Sequence, residues 1–251
     1  MVYERVSKKF FTLPGETRAL HEVSLVVSPG EFLAVVGPSG CGKSTLLSIT
    51  AGLIQPTSGR VLVGGTEVRG VSRRVGYMFQ QDHLFEWRTC EQNVTIGLEV
   101  QGKHGEETHR FAVSLLEQYG LGAFRQHYPR QLSGGMRQRV ALIRTLAVDP
   151  EIMLLDEPFS ALDYQTRLSL QDDVHSILRQ AGKTVVLVTH DISEAISFCD
   201  RVVVLSRPPG RVKVDLAIRL TCEKRTPFLA RKAPEFNEYF DRIWGEIEIT
   251  A

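Results

Sequence analysis

The run Gly-Pro-Ser-Gly-Cys-Gly-Lys-Ser at Gly37 to Ser44 constrains this chain more than any other feature, because glycines at these offsets before a Lys-Ser pair are the pattern of a phosphate-binding loop. It follows Phe32 to Val36, an apolar run of strand length, and opens a segment that reads as helix. Glycines let the backbone curl until successive N–H groups face one anion, and the helix N-terminus adds its positive dipole end. The spacing therefore assigns a phosphate cradle to Gly37, Pro38, Ser39, Gly40, Cys41, Gly42, Lys43, Ser44 and Thr45. Lys43 is expected to reach the β and γ phosphates of a nucleotide and the Ser44 hydroxyl to ligate Mg²⁺, with Thr45 supporting the phosphates. Cys41 has two readings: a thiol whose pKa the dipole and Lys43 depress, or a small residue that fits the loop.

Two further apolar runs, Ile152 to Leu155 before Asp156 and Thr184 to Val188 before Thr189 and His190, have the same character. Near-continuous runs suit strands buried on both faces, hence a parallel sheet covered by helices. Each run ends on polar residues, as where an open α/β sheet binds ligand outside the carboxyl ends of its strands. Asp156 is then placed to hold Mg²⁺ directly or through water, and Glu157 to polarise an attacking water. Taken alone, an apolar run ending in Asp-Glu equally describes a strand leaving the core.

Leu170, Val174, Ile177 and Leu178 recur at helical spacing up to Gly182, and a second helix begins at Asp191, an N-cap with Glu194 three residues on. The segments 20 to 35 and Gly59 to Gly65 read as shorter, turn-rich β structure. The stretch from about 90 to 150 reads as helical, inserted between core strands.

Composition excludes more than it assigns. With 251 residues, 43% hydrophobic and 24% charged, the chain has the make-up of a globular protein rather than a disordered one. Lys plus Arg (30) against Asp plus Glu (29) leave a net charge of +1, so no general field holds nucleic acid or anionic lipid. Cys41, Cys90, Cys199 and Cys222 form no CxxC pair, which fits a reducing cytosol. The opening residues carry no signal-peptide core and no apolar run approaches membrane-spanning length, so membrane attachment is expected to go through a partner.

Leu132-Ser-Gly-Gly-Met-Arg-Gln-Arg139 changes the assignment, because a generic phosphate-loop enzyme has no use for it. It resembles the signature sequence of ATP-binding-cassette (ABC) ATPases. The other elements of that family stand in order between residues 37 and 190: Gln80 in Gly-Tyr-Met-Phe-Gln-Gln, Ser160-Ala-Leu-Asp163 after the acidic pair, and His190 after the last strand. The resemblance implies an α/β fold: a P-loop NTPase (RecA-like) ABC ATPase core with a small antiparallel β subdomain and an inserted helical subdomain. It implies one nucleotide-binding domain over 1–251, with helices at about 90–150 and a C-terminal extension at about 207–251.

It also implies ATP and Mg²⁺ as cofactors, with Ser44, Gln80 and Asp156 around the metal and Glu157, His190 and Gln80 as catalytic residues. Ser133, Gly134 and Gly135, at the start of a helix running from Val140 onward, would receive the γ phosphate held by a second copy of the chain, so that ATP is sandwiched between two subunits. Asp163 would couple the two sites, Gln80 would sense a permease, and His190 would clamp the γ phosphate. Phe10 would stack on adenine, with Phe11 as rival; both equally suit edge-strand packing.

Leu-Ser-Gly-Gly-Met-Arg-Gln-Arg-Val, with Met136 in place of the frequent Gln, resembles the nitrate, sulfonate and taurine importer branch of the family. His83-Leu-Phe-Glu86-Trp87 is similar to that branch's permease-facing segment, with Glu86 where Pro is usual, and Ser206-Arg-Pro-Pro-Gly210-Arg is similar to its C-terminal turn. Phe236, Phe240, Ile243, Trp244 and Ile247 form a helical stripe expected to pack on the core, and the chain ends too soon for a separate regulatory domain.

The resemblance therefore implies the ATPase subunit of a small-oxyanion importer at the cytoplasmic face of the cell membrane, partnered by transmembrane permease subunits and indirectly by a substrate-binding protein, with no nucleic acid. A soluble ABC ATPase acting on nucleic acid or ribosomes is the alternative; no sustained heptads lie between Thr45 and Leu132, and only one cassette is present. A binding module without turnover is a third reading, against which stand Asp156, Glu157 and His190.

Overall fold

The computed structural model describes residues 1–12, 15–103, 105–160 and 162–248; the expectations touching Ala161 and 249–251 lie outside them. In chain order the strands are β1 (Val2–Thr12), β2 (Gly15–Val26), β3 (Phe32–Val36), β4 (Ser58–Val63), β5 (Thr66–Glu67), β6 (Val75–Met78), β7 (Ile152–Asp156), β8 (Thr184–Val188), β9 (Arg201–Leu205) and β10 (Val212–Ala217). They form an antiparallel sheet of order β2-β1-β4-β5 and a second sheet of order β10-β9-β3-β8-β7-β6. The second is parallel from β9 to β6, with β10 antiparallel on its edge.

Alternation along the parallel strands explains why both faces are buried. Phe32, Ala34 and Val36 of β3, Met153 and Leu155 of β7, and Val185 and Leu187 of β8 face one core, while Leu33, Val35, Ile152, Leu154, Val186 and Val188 face another. The first core is closed by helices α2 (Cys90–Val100), α3 (Glu106–Gln118), α4 (Gly134–Leu146), α5 (Tyr164–Gln180) and α6 (Ile192–Phe198). The antiparallel sheet and α1 (Lys43–Thr50) close the second. With apolar side chains on both faces, a strand first admits polar residues at its carboxyl end, which is where the site lies.

Several sequence expectations shift. β2 is one long strand from Gly15, whereas the sequence suggests shorter, turn-rich β structure from residue 20; bulges at Arg5 (φ 48°) and Glu22 (φ 50°) break the alternation along β1 and β2. α4 already begins at Gly134 rather than at Val140. α5 stops before Gly182, whose φ of 62° takes the left-handed turn as expected. Asp191 caps α6 through Glu194 N–H at 3.1 Å, but Glu194 does not reach back to complete a capping box; its side chain is buried.

Beyond β10 the chain adds α7 (Pro227–Ala230) and α8 (Phe236–Glu248). Phe236 and Ile243 of α8 are buried and Phe240 and Ile247 pack beside them, so the stripe is core packing except at Trp244, which is half exposed and stacks on Phe240. Among the described residues no helix is long and apolar enough to cross a membrane.

Candidate functional site

β3 delivers the chain into the loop at Gly37, and α1 leaves it at Lys43. Gly42, the residue before α1, has φ 99°, and a Cβ there would stand 2.8 Å from the Ala19 carbonyl and 2.7 Å from Leu20 Cδ2. Only glycine combines that conformation with that approach. Lys43 is buried and folded along the loop, its Nζ donating to the carbonyls of Gly37 at 2.8 Å and Pro38 at 3.1 Å. Ser39, Gly40, Gly42, Lys43, Ser44 and Thr45 line one open cleft of about 350 Å³ together with Glu157 and His190.

Cys41 does not line that cleft. It is fully buried, and burial raises its thiol pKa above the ordinary value despite Lys43 Nζ at 3.9 Å. Of the two sequence readings, the depressed thiol is the one the structure rejects: desolvation outweighs the cation beside it.

β7 brings Asp156 to the loop. Its carboxylate accepts from Ser44 Oγ at 3.2 Å and from the Tyr77 hydroxyl at 3.0 Å. Burial raises the Asp156 pKa, with the charge of Glu157 adding to the rise and the two hydroxyls opposing it. Tyr77, on β6, was not singled out by the sequence; burial first and Asp156 second push its phenol pKa up, so it stays a donor. One residue on, Glu157 sits at φ 46°, its N–H bonded to the Val188 carbonyl at 2.9 Å. This local turn swings the carboxylate toward two other elements. Glu157 Oε2 lies 3.1 Å from His190 Nδ1, at the end of β8, and 3.3 Å from Gln80 Nε2, beyond β6. Gln80, Glu157 and His190 thus converge although 110 residues separate the first from the last.

The remaining candidates stand apart. Gly134 lines an adjoining cleft of about 620 Å³ with Gln80, Glu157 and His190, but Ser133 and Gly135 line neither cleft. Ser133 caps α4, accepting from Met136 N–H at 3.3 Å, and Asp163 caps α5, accepting from Thr166 N–H at 3.0 Å, a bond that holds its pKa down. Phe10 is partly and Phe11 largely exposed toward the end of β1, and Lys8 Nζ lies 5.2 Å from the Phe10 ring centroid.

A second supporting residue also escaped the sequence. Gly210, in the turn after β9, bridges to Leu20 and presses on the loop: a Cβ there would come within 2.1 Å of the Cys41 carbonyl. The resemblance had marked that turn for its branch of the family, with no hint that it buttresses the phosphate loop.

A phosphate loop beside a strand-end Asp-Glu pair, with Gln80 and His190 on that pair, defines a nucleotide-hydrolysing P-loop fold. The profile of the ABC transporter family matches residues 20–160. Over 244 residues the chain is 46% identical to the uncharacterized ABC transporter ATP-binding protein YtlC of Bacillus subtilis, covering 97% of this chain and 94% of that one. It is 40% identical to the nitrate import ATP-binding protein NrtD of Synechocystis sp., covering 95% and 91%. To the aliphatic sulfonates import ATP-binding protein SsuB of Bacillus licheniformis it is 42% identical, covering 98% and 94%. Among solved structures, the dimeric post-hydrolysis state of the ATP-binding cassette MJ0796 bound to ADP and Pi matches with a TM-score of 0.75 at 34% identity, covering 87% of this chain and 98% of that one. The chain belongs to the ABC transporter family and is an ATP-hydrolysing cassette of it.

Proposed function

We propose that this chain is the ATPase subunit of an importer for small oxyanions or related nutrients, working at the cytoplasmic face of a membrane as a dimer that ATP closes. The observation that carries the reading is the convergence of Glu157 and His190 on the phosphate-loop cleft, with Gln80 on Glu157 and with Ser44 and Asp156 paired beside them. The nitrate and sulfonate import relatives support the cargo class, and the dimeric state of the similar cassette supports the assembly.

In this reading Gly37 to Gly42 and Thr45 form the phosphate cradle, Pro38 and Cys41 shaping the loop while N–H groups of the other residues and the Thr45 hydroxyl face the phosphates, and Lys43 leaves its loop carbonyls to reach the β and γ phosphates. The Ser44 hydroxyl and Asp156 carboxylate are hard oxygen donors 3.2 Å apart, a set that fits Mg²⁺ completing its shell with phosphate and water oxygens. The burial that raises the Asp156 pKa would be offset by that cation. When bound, Mg²⁺ neutralises charge on the transferring phosphoryl group. Glu157 orients the attacking water and receives its proton, while His190 and Gln80 hold Glu157 and contact the γ phosphate and water. Phe10 stacks on adenine. Ser133 to Gly135 of the partner copy complete the site, and Asp163 couples the pair. Gln80 and the Trp87 segment transmit closure to permease subunits, which a substrate-binding protein serves; Trp87 is largely exposed.

Phosphate release and size-exclusion chromatography test this together. Wild type should hydrolyse ATP, and Glu157→Gln should lose turnover by about 10²-fold or more while eluting as a dimer with ATP and Mg²⁺. Undiminished turnover in Glu157→Gln would contradict the assignment. The cargo class is tested by growth of a deletion strain on different sulfur and nitrogen sources.

A further inference from the structure

The geometry points to Glu194 as a positioning residue for His190: its buried carboxyl fixes the loop on which His190 stands, through the hydroxyl of Thr189. This rests on the proposed role of His190 at the γ phosphate. Beyond its approach to Glu157 the ring of His190 is largely exposed, at 65%, so the backbone that carries it sets where it stands. That backbone is enclosed by three linked bonds. The Thr189 hydroxyl donates to Glu194 Oε2, Asp191 N–H donates to Thr189 Oγ1 at 3.0 Å, and Glu194 N–H donates to Asp191 Oδ1 at 3.1 Å. His190 is the one residue held between Thr189 and Asp191, and Thr189 N–H is anchored to the Val35 carbonyl of β3 at 3.4 Å. β3 is also the strand that feeds the phosphate loop.

An ordinary helix start would use Glu194 differently, sending its side chain back to the cap or out to water. Here it is 4% exposed, and Glu194 Oε1 takes no hydrogen bond from the described residues. A buried carboxyl kept in this condition costs stability, and the cost argues for a task at this position. The charged groups around it are Asp191 on its own loop, Arg167 on α5 and Arg231 beside α7. Arg167 Nη1 lies 3.7 Å from Asp191, and its Nη2 donates to the Leu162 carbonyl at 2.9 Å, so the same cluster touches the residue before Asp163.

The test compares kcat and KM for ATP in the full chain with Glu194→Ala, Glu194→Gln, Thr189→Val, His190→Ala and the double variant Glu194→Ala/His190→Ala. We expect Glu194→Ala and Thr189→Val to lower kcat by about tenfold with KM changed less than about threefold, and Glu194→Gln, whose amide oxygen still accepts from Thr189, to stay within about threefold of wild type. In the His190→Ala background Glu194→Ala should cost nothing more, since it acts through the missing residue. An equal fractional loss in both backgrounds overturns the inference, as does full activity in Thr189→Val. The His190 ring resonances of the nucleotide-free chain give an independent reading: they should shift in Thr189→Val and Glu194→Ala and stay near their wild-type positions in Glu194→Gln. Unmoved resonances overturn the positioning role whatever the turnover. A chain whose resonances shift as expected but which releases no phosphate supports the positioning and overturns the proposed function instead.

Discussion

A carboxyl group that is buried without a cation on it makes folding depend on pH, and Glu194 supplies the sign. Burial pushes its pKa from 4.5 up to about 8, against the hydrogen bond from Thr189 and the attraction of Arg167 and Arg231, and with Asp191 adding to the rise. Below pH 4.5 folded and unfolded chains both carry the proton and nothing is lost. Between 4.5 and about 8 the unfolded chain ionises while the folded chain keeps its proton, so this contribution to stability declines as pH rises. At neutral pH the deficit is about 3 kcal/mol. Glu194→Gln does not titrate, so its stability relative to wild type should climb by about 2 to 4 kcal/mol between pH 5 and pH 8 in denaturant unfolding. A difference that stays flat with pH would mean that Glu194 is already ionised in the folded chain. Residues of this kind are illegible in a sequence: Asp191 with Glu194 three positions on reads as a cap, and only the packing of α6 shows the carboxyl turned inward. Cys41 teaches the same lesson, because its neighbours in sequence leave a depressed thiol and a small fitting residue both open and its neighbours in space bury it.

Elements were legible where local geometry forces local sequence. The phosphate loop must curl within a few residues, so its glycines stand at fixed spacing, and strands buried on both faces must be apolar throughout, so β3, β7 and β8 could be read directly. What holds the loop from outside was not legible, since the contact joins Gly210 to Cys41 across most of the chain. The turn after β9 is pinned there by Gly210 N–H to the Ala19 carbonyl and His21 N–H to the Gly210 carbonyl, both at 2.9 Å. Any side chain at 210 must displace backbone, not a flexible side chain, because the nearest atom is the Cys41 carbonyl oxygen. Gly210→Ala should therefore weaken ATP binding by about tenfold or more through a misplaced loop while the sheet stays folded. Fluorescent-nucleotide titration alongside circular dichroism checks it, and an unchanged Kd in a folded variant would show that the turn merely lies beside the loop. Tyr77 belongs with Gly210, since its bond to Asp156 spans 79 positions and no spacing rule announces it.

On the scale of the whole molecule, the starts of α1 and α4 open on different, adjoining clefts. The N-terminus of α1 opens on the phosphate cleft, whereas Ser133 and Gly135 at the start of α4 line no part of it. The sequence announced both halves through their motifs, and the resemblance implied that they meet between two chains rather than within one. Their separation fits a site completed by a second copy, and mixing two broken chains tests that directly. Lys43→Ala removes the phosphate-loop cation and keeps the α4 start. Gly135→Asp spoils the α4 start, where a Cβ already comes within 2.8 Å of Thr166 Cγ2, and keeps the phosphate loop. Each variant alone pairs every site with a broken half and should be inactive. In a mixed dimer the intact loop of one chain meets the intact α4 start of the other, so one of two sites is whole. With random pairing, half the dimers are mixed and the mixture should recover up to about a quarter of wild-type turnover. Pairing must be confirmed by differently tagged chains captured together with ATP. If mixed dimers form and stay inactive, the two halves do not complete each other and the sandwich reading fails, whereas recovery requires that α4 of one chain serve the nucleotide of its partner.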